Sequence, residues 1–187
     1  MILYLHGFLS SPASTKARQL HQAMAALGRG DDLLCPSLPV SPRSAAEVVL
    51  ALAQLEDPES LCVVGSSLGG YYATWLAQRT GCRAVLLNPA VRPYDLLQSR
   101  LGWQTDHAGQ PVEIRPEFLD ELRALEVGAL AQPQRCLLIA ATGDEVIDHR
   151  WMLERYAGCP VRLVDSDHAL AAFPAVLPEL LRFCGLT

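Results

Sequence analysis

Leu61-Cys62-Val63-Val64-Gly65-Ser66-Ser67-Leu68-Gly69-Gly70, continued by Tyr71-Tyr72-Ala73-Thr74-Trp75-Leu76-Ala77, is the stretch from which the rest of the chain is read. Its apolar, β-branched start predicts a strand, the small residues a sharp turn, and the apolar spacing beyond them a helix. In that setting Gly65-x-Ser67-x-Gly69 is the pattern of a nucleophile elbow with Ser67 at its tip. The glycines answer a steric demand: the turn holds Ser67 in a strained conformation, and side chains two residues to either side would collide with the adjoining strand and helix. By composition alone about one chain in twenty of this length would contain the pattern. Its weight comes from standing between a strand and a helix.

The 187 residues suit one domain, and at 50% hydrophobic the chain can bury about 70% of the surface its unfolded form exposes. A net charge of −5 with no basic run lacks the electrostatic footprint of a nucleic-acid binder. The apolar start Met1-Ile2-Leu3-Tyr4-Leu5 is too short for a signal-peptide core and has no basic region before it. No other apolar run approaches membrane-spanning length. The expectation is a cytoplasmic protein without nucleic-acid or membrane partners; nothing in the pattern fixes an oligomeric state. Cys35, Cys62, Cys82, Cys136, Cys159 and Cys184 are widely spaced with no C-x-x-C pair, and are read as reduced thiols packed as small apolar groups.

Working outward from the elbow, Ile2 to Leu5 reads as a buried strand entering His6-Gly7-Phe8. Thr15 to Leu27 reads as a helix stopped at Gly28. Leu33 to Cys35 is a second strand, and Pro42 to Leu55 a helix with Ser41 as its cap and Pro42 in its first turn. Beyond the elbow helix, strands are predicted at Arg83 to Leu87, Cys136 to Ala141 and Val161 to Val164. Continuous apolar strands separated by helices predict an α/β fold: a mostly parallel sheet of about six strands, covered on both faces. Residues 90–132 break the rhythm. Tyr94 to Leu101 and Phe118 to Leu125 look helical while Trp103 to Arg115 shows no period, and the whole reads as a small lid inserted over the sheet edge. Pro174 and Pro178 predict that the last helix starts only near Pro178.

Ligands of parallel sheets meet the loops beyond the carboxyl ends of the strands. His6-Gly7-Phe8, Ser67, Asp144 and His168 all fall at such ends, and Ser67, Asp144 and His168 follow the chain order of nucleophile, acid and base in α/β-hydrolases. A serine hydroxyl needs a neighbouring base to take its proton. His168 is preferred for this; His6, His21, His107 and His149 are the alternatives, read as structural. Asp144 would hold the imidazole tautomer, with Asp148 the runner-up. Backbone N–H groups of Phe8 and Leu68 would receive the oxyanion. Ser66, in the variable slot, reads as packing. Asp165 and Asp167 beside His168 resemble metal ligands only superficially, since no H-E-x-x-H or second histidine accompanies them, and Gly65 to Gly70 spells no nucleotide-binding signature. No metal or cofactor is expected.

Leu3 to Pro12, Gly65 to Leu76, Asn88-Pro89-Ala90-Val91-Arg92-Pro93 and Thr142-Gly143-Asp144-Glu145-Val146 together resemble the YqiA-type esterases, a small branch of the α/β-hydrolases, over nearly the whole chain. The resemblance implies carboxylic-ester hydrolysis, with Ser67, Asp144 and His168 on the family's triad positions. One departure is that Ser166-Asp167 precede His168 where the family pattern has Gly-Asn or a similar pair. Thioester cleavage on the same triad, and a noncatalytic binding protein on the same scaffold, are the competing readings. Leu96, Leu97, Leu101 and Trp103 are read as the lining of a short acyl pocket, and Gln104 to Gln110 as a wet surface.

Overall fold

Six strands form one parallel sheet in the computed structural model, which describes residues 1–187. They are β1 (Ile2–Leu5), β2 (Leu33–Leu34), β3 (Cys62–Ser66), β4 (Arg83–Leu87), β7 (Cys136–Ala141) and β8 (Val161–Val164), in the spatial order β2-β1-β3-β4-β7-β8. β1, β4, β7 and β8 match the predicted spans, β2 stops one residue earlier, and β3 is the strand expected before the elbow. A separate antiparallel hairpin joins β5 (Gly102–Thr105) to β6 (Pro111–Ile114).

Side chains alternate strictly between the two faces of the sheet. Leu3, Leu5 and Val63 point into one core, shared with α2 (Pro42–Ala53), α3 (Leu68–Thr80), α5 (Glu117–Ala124) and α6 (His149–Arg155). Ile2, Tyr4, Cys62 and Val64 point into the other, shared with α1 (Thr15–Ala26) and α7 (Phe173–Phe183). This alternation is why the central strands read as unbroken apolar runs: both faces are dry. β8 departs from that rule. As the edge strand it exposes Val161, Arg162 and Leu163.

Two helix boundaries show the local chemistry. Ser41 accepts the Ser44 N–H at 3.3 Å and Pro42 opens α2, as predicted. The last helix, however, begins at Phe173 rather than near Pro178. Pro174 sits in its first turn, where the missing N–H costs nothing, and Pro178 is carried inside the helix. What overrides that interior proline is burial: Phe173, Val176 and Leu180 are fully enclosed against the sheet, each contributing about 1.5–3 kcal/mol.

The segment between β4 and β7 holds α4 (Pro93–Gln98), the hairpin and α5. Trp103 to Arg115, expected to be irregular, is therefore mostly hairpin. The segment leaves from and returns to neighbouring strands, β4 and β7, in the interior of the sheet. It is anchored to the helices: Tyr71 Oη donates to the Leu122 carbonyl at 2.9 Å, and Glu121 Oε2 accepts from Ser41 Oγ at 2.8 Å. No helix of the chain is long and apolar enough to cross a membrane.

Candidate active site

The chain runs from β1 to β2 on one side and from β3 to β4 on the other, so a crevice opens beyond the carboxyl ends of β1 and β3, where ligands of such sheets bind. Ser67 stands there, between β3 and α3, with φ 54° and ψ −118°. Steric crowding enforces this turn. A Cβ on Gly65 would lie 2.2 Å from the Gly69 carbonyl oxygen, and one on Gly69 would lie 2.0 Å from that of Leu5. The Ser67 main chain is also fastened to β4 and the loop after it, its N–H donating to Leu87 O and its carbonyl accepting from Ala90 N–H, both at 3.0 Å.

Ser67 Oγ lies 3.0 Å from His168 Nε2, and His168 Nδ1 lies 2.8 Å from Asp144 Oδ2. Residues 101 and 24 apart in the chain are thus brought into one hydrogen-bonded row. The Asp144 carboxylate is closed off from solvent and fully occupied: besides the imidazole it accepts the N–H groups of Val146 at 2.9 Å and Ile147 at 2.8 Å. With Asp144 accepting at Nδ1, the Nδ1–H tautomer is favoured and Nε2 presents its lone pair to the serine. Phe8 N–H has no partner within the protein, and Leu68 opens α3, where the first N–H groups have no intrahelical acceptor. Both residues line the same cavity as Ser67 and His168, a space of about 450 Å³.

The alternatives weighed on sequence have other occupations. Asp148 caps α6 by accepting Arg150 N–H at 2.9 Å and grips the Arg150 guanidinium, which lowers its pKa to about 2. His6 is buried, with Nδ1 donating to Gly7 O at 3.0 Å and Nε2 accepting Leu38 N–H at 3.2 Å. Burial, helped by nearby His107, pushes its pKa down against the opposing pull of the Gly7 bond. It is a neutral staple for the loop that carries Phe8. His21 and His107 are exposed, and His149 begins α6. Ser66 is buried. All six cysteines are free thiols, with Cys62 and Cys184 Sγ atoms in contact at 2.7 Å.

Two acyl-pocket expectations are corrected. Leu96 and Leu97 line the cavity, but Leu101 and Trp103 do not; Trp103 is 70% exposed on the outer face of the hairpin. Gln104 and Thr105, read as wet surface, line the cavity instead.

Sequence reasoning missed the residues that hold His168. Asn88, buried at the end of β4 with φ 43°, donates from Nδ2 to the carbonyls of Asp167 and His168, both at 3.1 Å, and accepts Ala141 N–H at 2.7 Å. Glu145 accepts His168 N–H at 3.0 Å. Ser166 and Asp167, the departure from the family pattern, cap the turn into α7 by accepting Ala172 and Ala171 N–H. An Asn-Pro pair at a strand end, where Asn tolerates positive φ, was the one signal in the sequence pointing at Asn88.

The sequence model of an uncharacterised protein family, UPF0227, matches residues 1–185. A UPF0227 protein of Shewanella sediminis is 28% identical, the match covering 98% of each chain. Among solved structures, the mouse alpha/beta hydrolase domain-containing protein 10 superposes with a TM-score of 0.69 at 16% identity, over 97% of this chain and 87% of that one. A pyrethroid hydrolase of Sphingobium faniae JZ-2 does so with a TM-score of 0.67 at 16% identity, over 98% and 96%. The fold is that of the α/β-hydrolases.

Proposed function

This chain belongs to the UPF0227 family, and we propose that it is a serine hydrolase that cleaves short-chain carboxylic esters through an acyl-enzyme. The observation that carries this reading is the row Ser67 Oγ, His168 Nε2, His168 Nδ1, Asp144 Oδ2 at 3.0 and 2.8 Å, opening on a cavity with two unengaged backbone donors.

Ser67 Oγ attacks the acyl carbon as His168 Nε2 takes its proton, and Asp144 stabilises the imidazolium. The negative charge that forms on the carbonyl oxygen is met by the N–H groups of Phe8 and Leu68, which have no acceptor within the protein to give up. Collapse of the tetrahedral species breaks the bond to the alcohol, which leaves with the proton from His168. Water then repeats the sequence against the acyl-serine, its proton passing to His168 and back to Ser67 as the acid departs. Each proton is returned within the cycle, and no further group is consumed.

A fluorophosphonate tests the reading, because only an activated serine is labelled rapidly. Labelling should occur on the peptide containing Ser67 and vanish in Ser67→Ala; a fully active protein that resists the reagent would sink the mechanism. The cavity falls within the usual range for small-ligand sites, with Leu96 and Leu97 on its wall. Each methylene held there adds about 0.8 kcal/mol, roughly fourfold in kcat/KM. Across p-nitrophenyl esters from acetate to palmitate, kcat/KM should rise over the first few carbons and fall before long chains. A maximum at palmitate would overturn the size limit.

A further inference from the structure

The reaction described above uses backbone donors, one imidazole and one carboxylate, yet the cavity walls carry two further charges. Lys16, in the first turn of α1, and Arg100, just after α4, both line it, and none of its lining residues is acidic. In a chain whose net charge is −5, a cavity with only cations on its walls runs against the overall balance.

Neither cation is neutralised from within. Lys16 is half-buried, and its Nζ donates to the Ala169 carbonyl at 2.7 Å, next to the base. That uses one of its three donors. Burial lowers its pKa, while Asp167 nearby pulls in the opposite direction without coming into ion-pair contact, its own Oδ1 being engaged by Ala171 N–H. Arg100 takes part in none of the protein's ion pairs. Its main-chain carbonyl accepts Gln104 Nε2 at 3.1 Å, placing a third polar side chain on the same wall. Lys16 is thus partly desolvated without a carboxylate partner, which is costly, and a ligand that brings the missing negative charge offsets that cost, while Arg100 is exposed on the same wall with no ion-pair partner to displace.

We propose that the site selects esters that carry an anionic group, a carboxylate or phosphate, recognised by Lys16 and Arg100. This rests on the hydrolase reading for its chemistry but not for its charge preference. The anion sits on either the acyl or the alcohol half, and matched substrates separate the two.

The acyl half is tested with p-nitrophenyl valerate against mono-p-nitrophenyl glutarate, and the alcohol half with p-nitrophenyl butyrate against 3-carboxy-4-nitrophenyl butyrate. Each rate is normalised to hydroxide-catalysed hydrolysis. In at least one pair kcat/KM should favour the charged ester by about tenfold or more, the scale of a charge-assisted contact. The preference should shrink as salt is raised, fall toward unity in Lys16→Met/Arg100→Gln, and persist in Lys16→Arg. A purely structural role for Lys16, tying α1 to the His168 loop, would lower both members of a pair alike and leave their ratio unmoved. The proposal is overturned if neither pair favours the anion, or if the preference survives the double substitution. Calorimetric titration of the valerate and glutarate esters into Ser67→Ala, which lacks the nucleophile, reads charge selectivity without turnover. Tighter glutarate binding that disappears with Lys16→Met/Arg100→Gln upholds the inference even where Ser67 proves not to be a nucleophile; the two butyrate esters are titrated in the same way for the alcohol half, and equal binding within both pairs overturns it.

Discussion

The elbow and the β5–β6 hairpin face the same cavity and are built in opposite ways. Around Ser67 every neighbour is fixed: Gly65 and Gly69 admit no Cβ, the main chain is bonded to two further elements, and the imidazole and its carboxylate are held by four elements of the sheet. The strands of the hairpin pair only with each other, its turn is tied to the loop after β1 by His107 N–H donating to Leu9 O at 3.1 Å, it exposes Gly102, Trp103 and Thr105, and it lines the cavity with Gln104 and Thr105. Bond-making groups need placement to within a few tenths of an ångström, and only a packed sheet end supplies it. Groups that sort substrates tolerate a looser mount.

The contrast is sharpest at Ser67. Ser67→Ala should lose activity by about 10⁶ in kcat, whereas Ser66→Ala, one residue away but inside the packing, should cost far less; comparable losses in an ester assay would erase the distinction. The same position tests whether rigidity is maintained against strain. With φ 54° and ψ −118°, Ser67→Gly should be about 1 kcal/mol more stable than Ser67→Ala while equally inactive. Thermal or denaturant unfolding of the pair measures this.

The next effect belongs to Asp144. Asp144→Asn should favour the wrong imidazole tautomer and lower kcat by about 10⁴. Asp148→Asn retains a helix-capping side chain and should stay within about tenfold of wild type. Reversed losses would assign the acid to the wrong residue.

Asn88 extends the rigid region beyond the reacting groups. Asn88→Ala removes bonds to two carbonyls of the His168 loop and to Ala141 N–H. The unsatisfied buried groups should cost about 2–3 kcal/mol, and the displaced base about 10² in kcat. Unfolding and turnover measured on one preparation separate the two, and unchanged kcat in a destabilised protein would confine Asn88 to a structural role. At the other extreme, Trp103→Gln on the outer face of the hairpin should change stability by less than about 0.5 kcal/mol and leave turnover within about twofold of wild type. A large loss there would show the hairpin to be as exacting as the elbow.

The sheet and the side chains that meet at its end were legible along the chain because their signals are local. Apolar runs of four to six residues mark strands whichever way they pack, and the elbow glycines stand next to the serine whose turn they permit. The order Ser67, Asp144, His168 could be read because each follows a strand. Tertiary structure alone decided the rest. Asp144 and Asp148 are the same side chain four residues apart; one is dry and accepts an imidazole, the other grips an arginine on the surface, and only the position of His168 separates them. Pro178 argued locally against a helix that burial then imposed. Asn88 meets the His168 loop across 80 residues, and Lys16 reaches Ala169 across 153. Such contacts leave no periodic trace, because a hydrogen bond or a shared cavity depends on where two distant segments meet in space and not on the residues that flank either one.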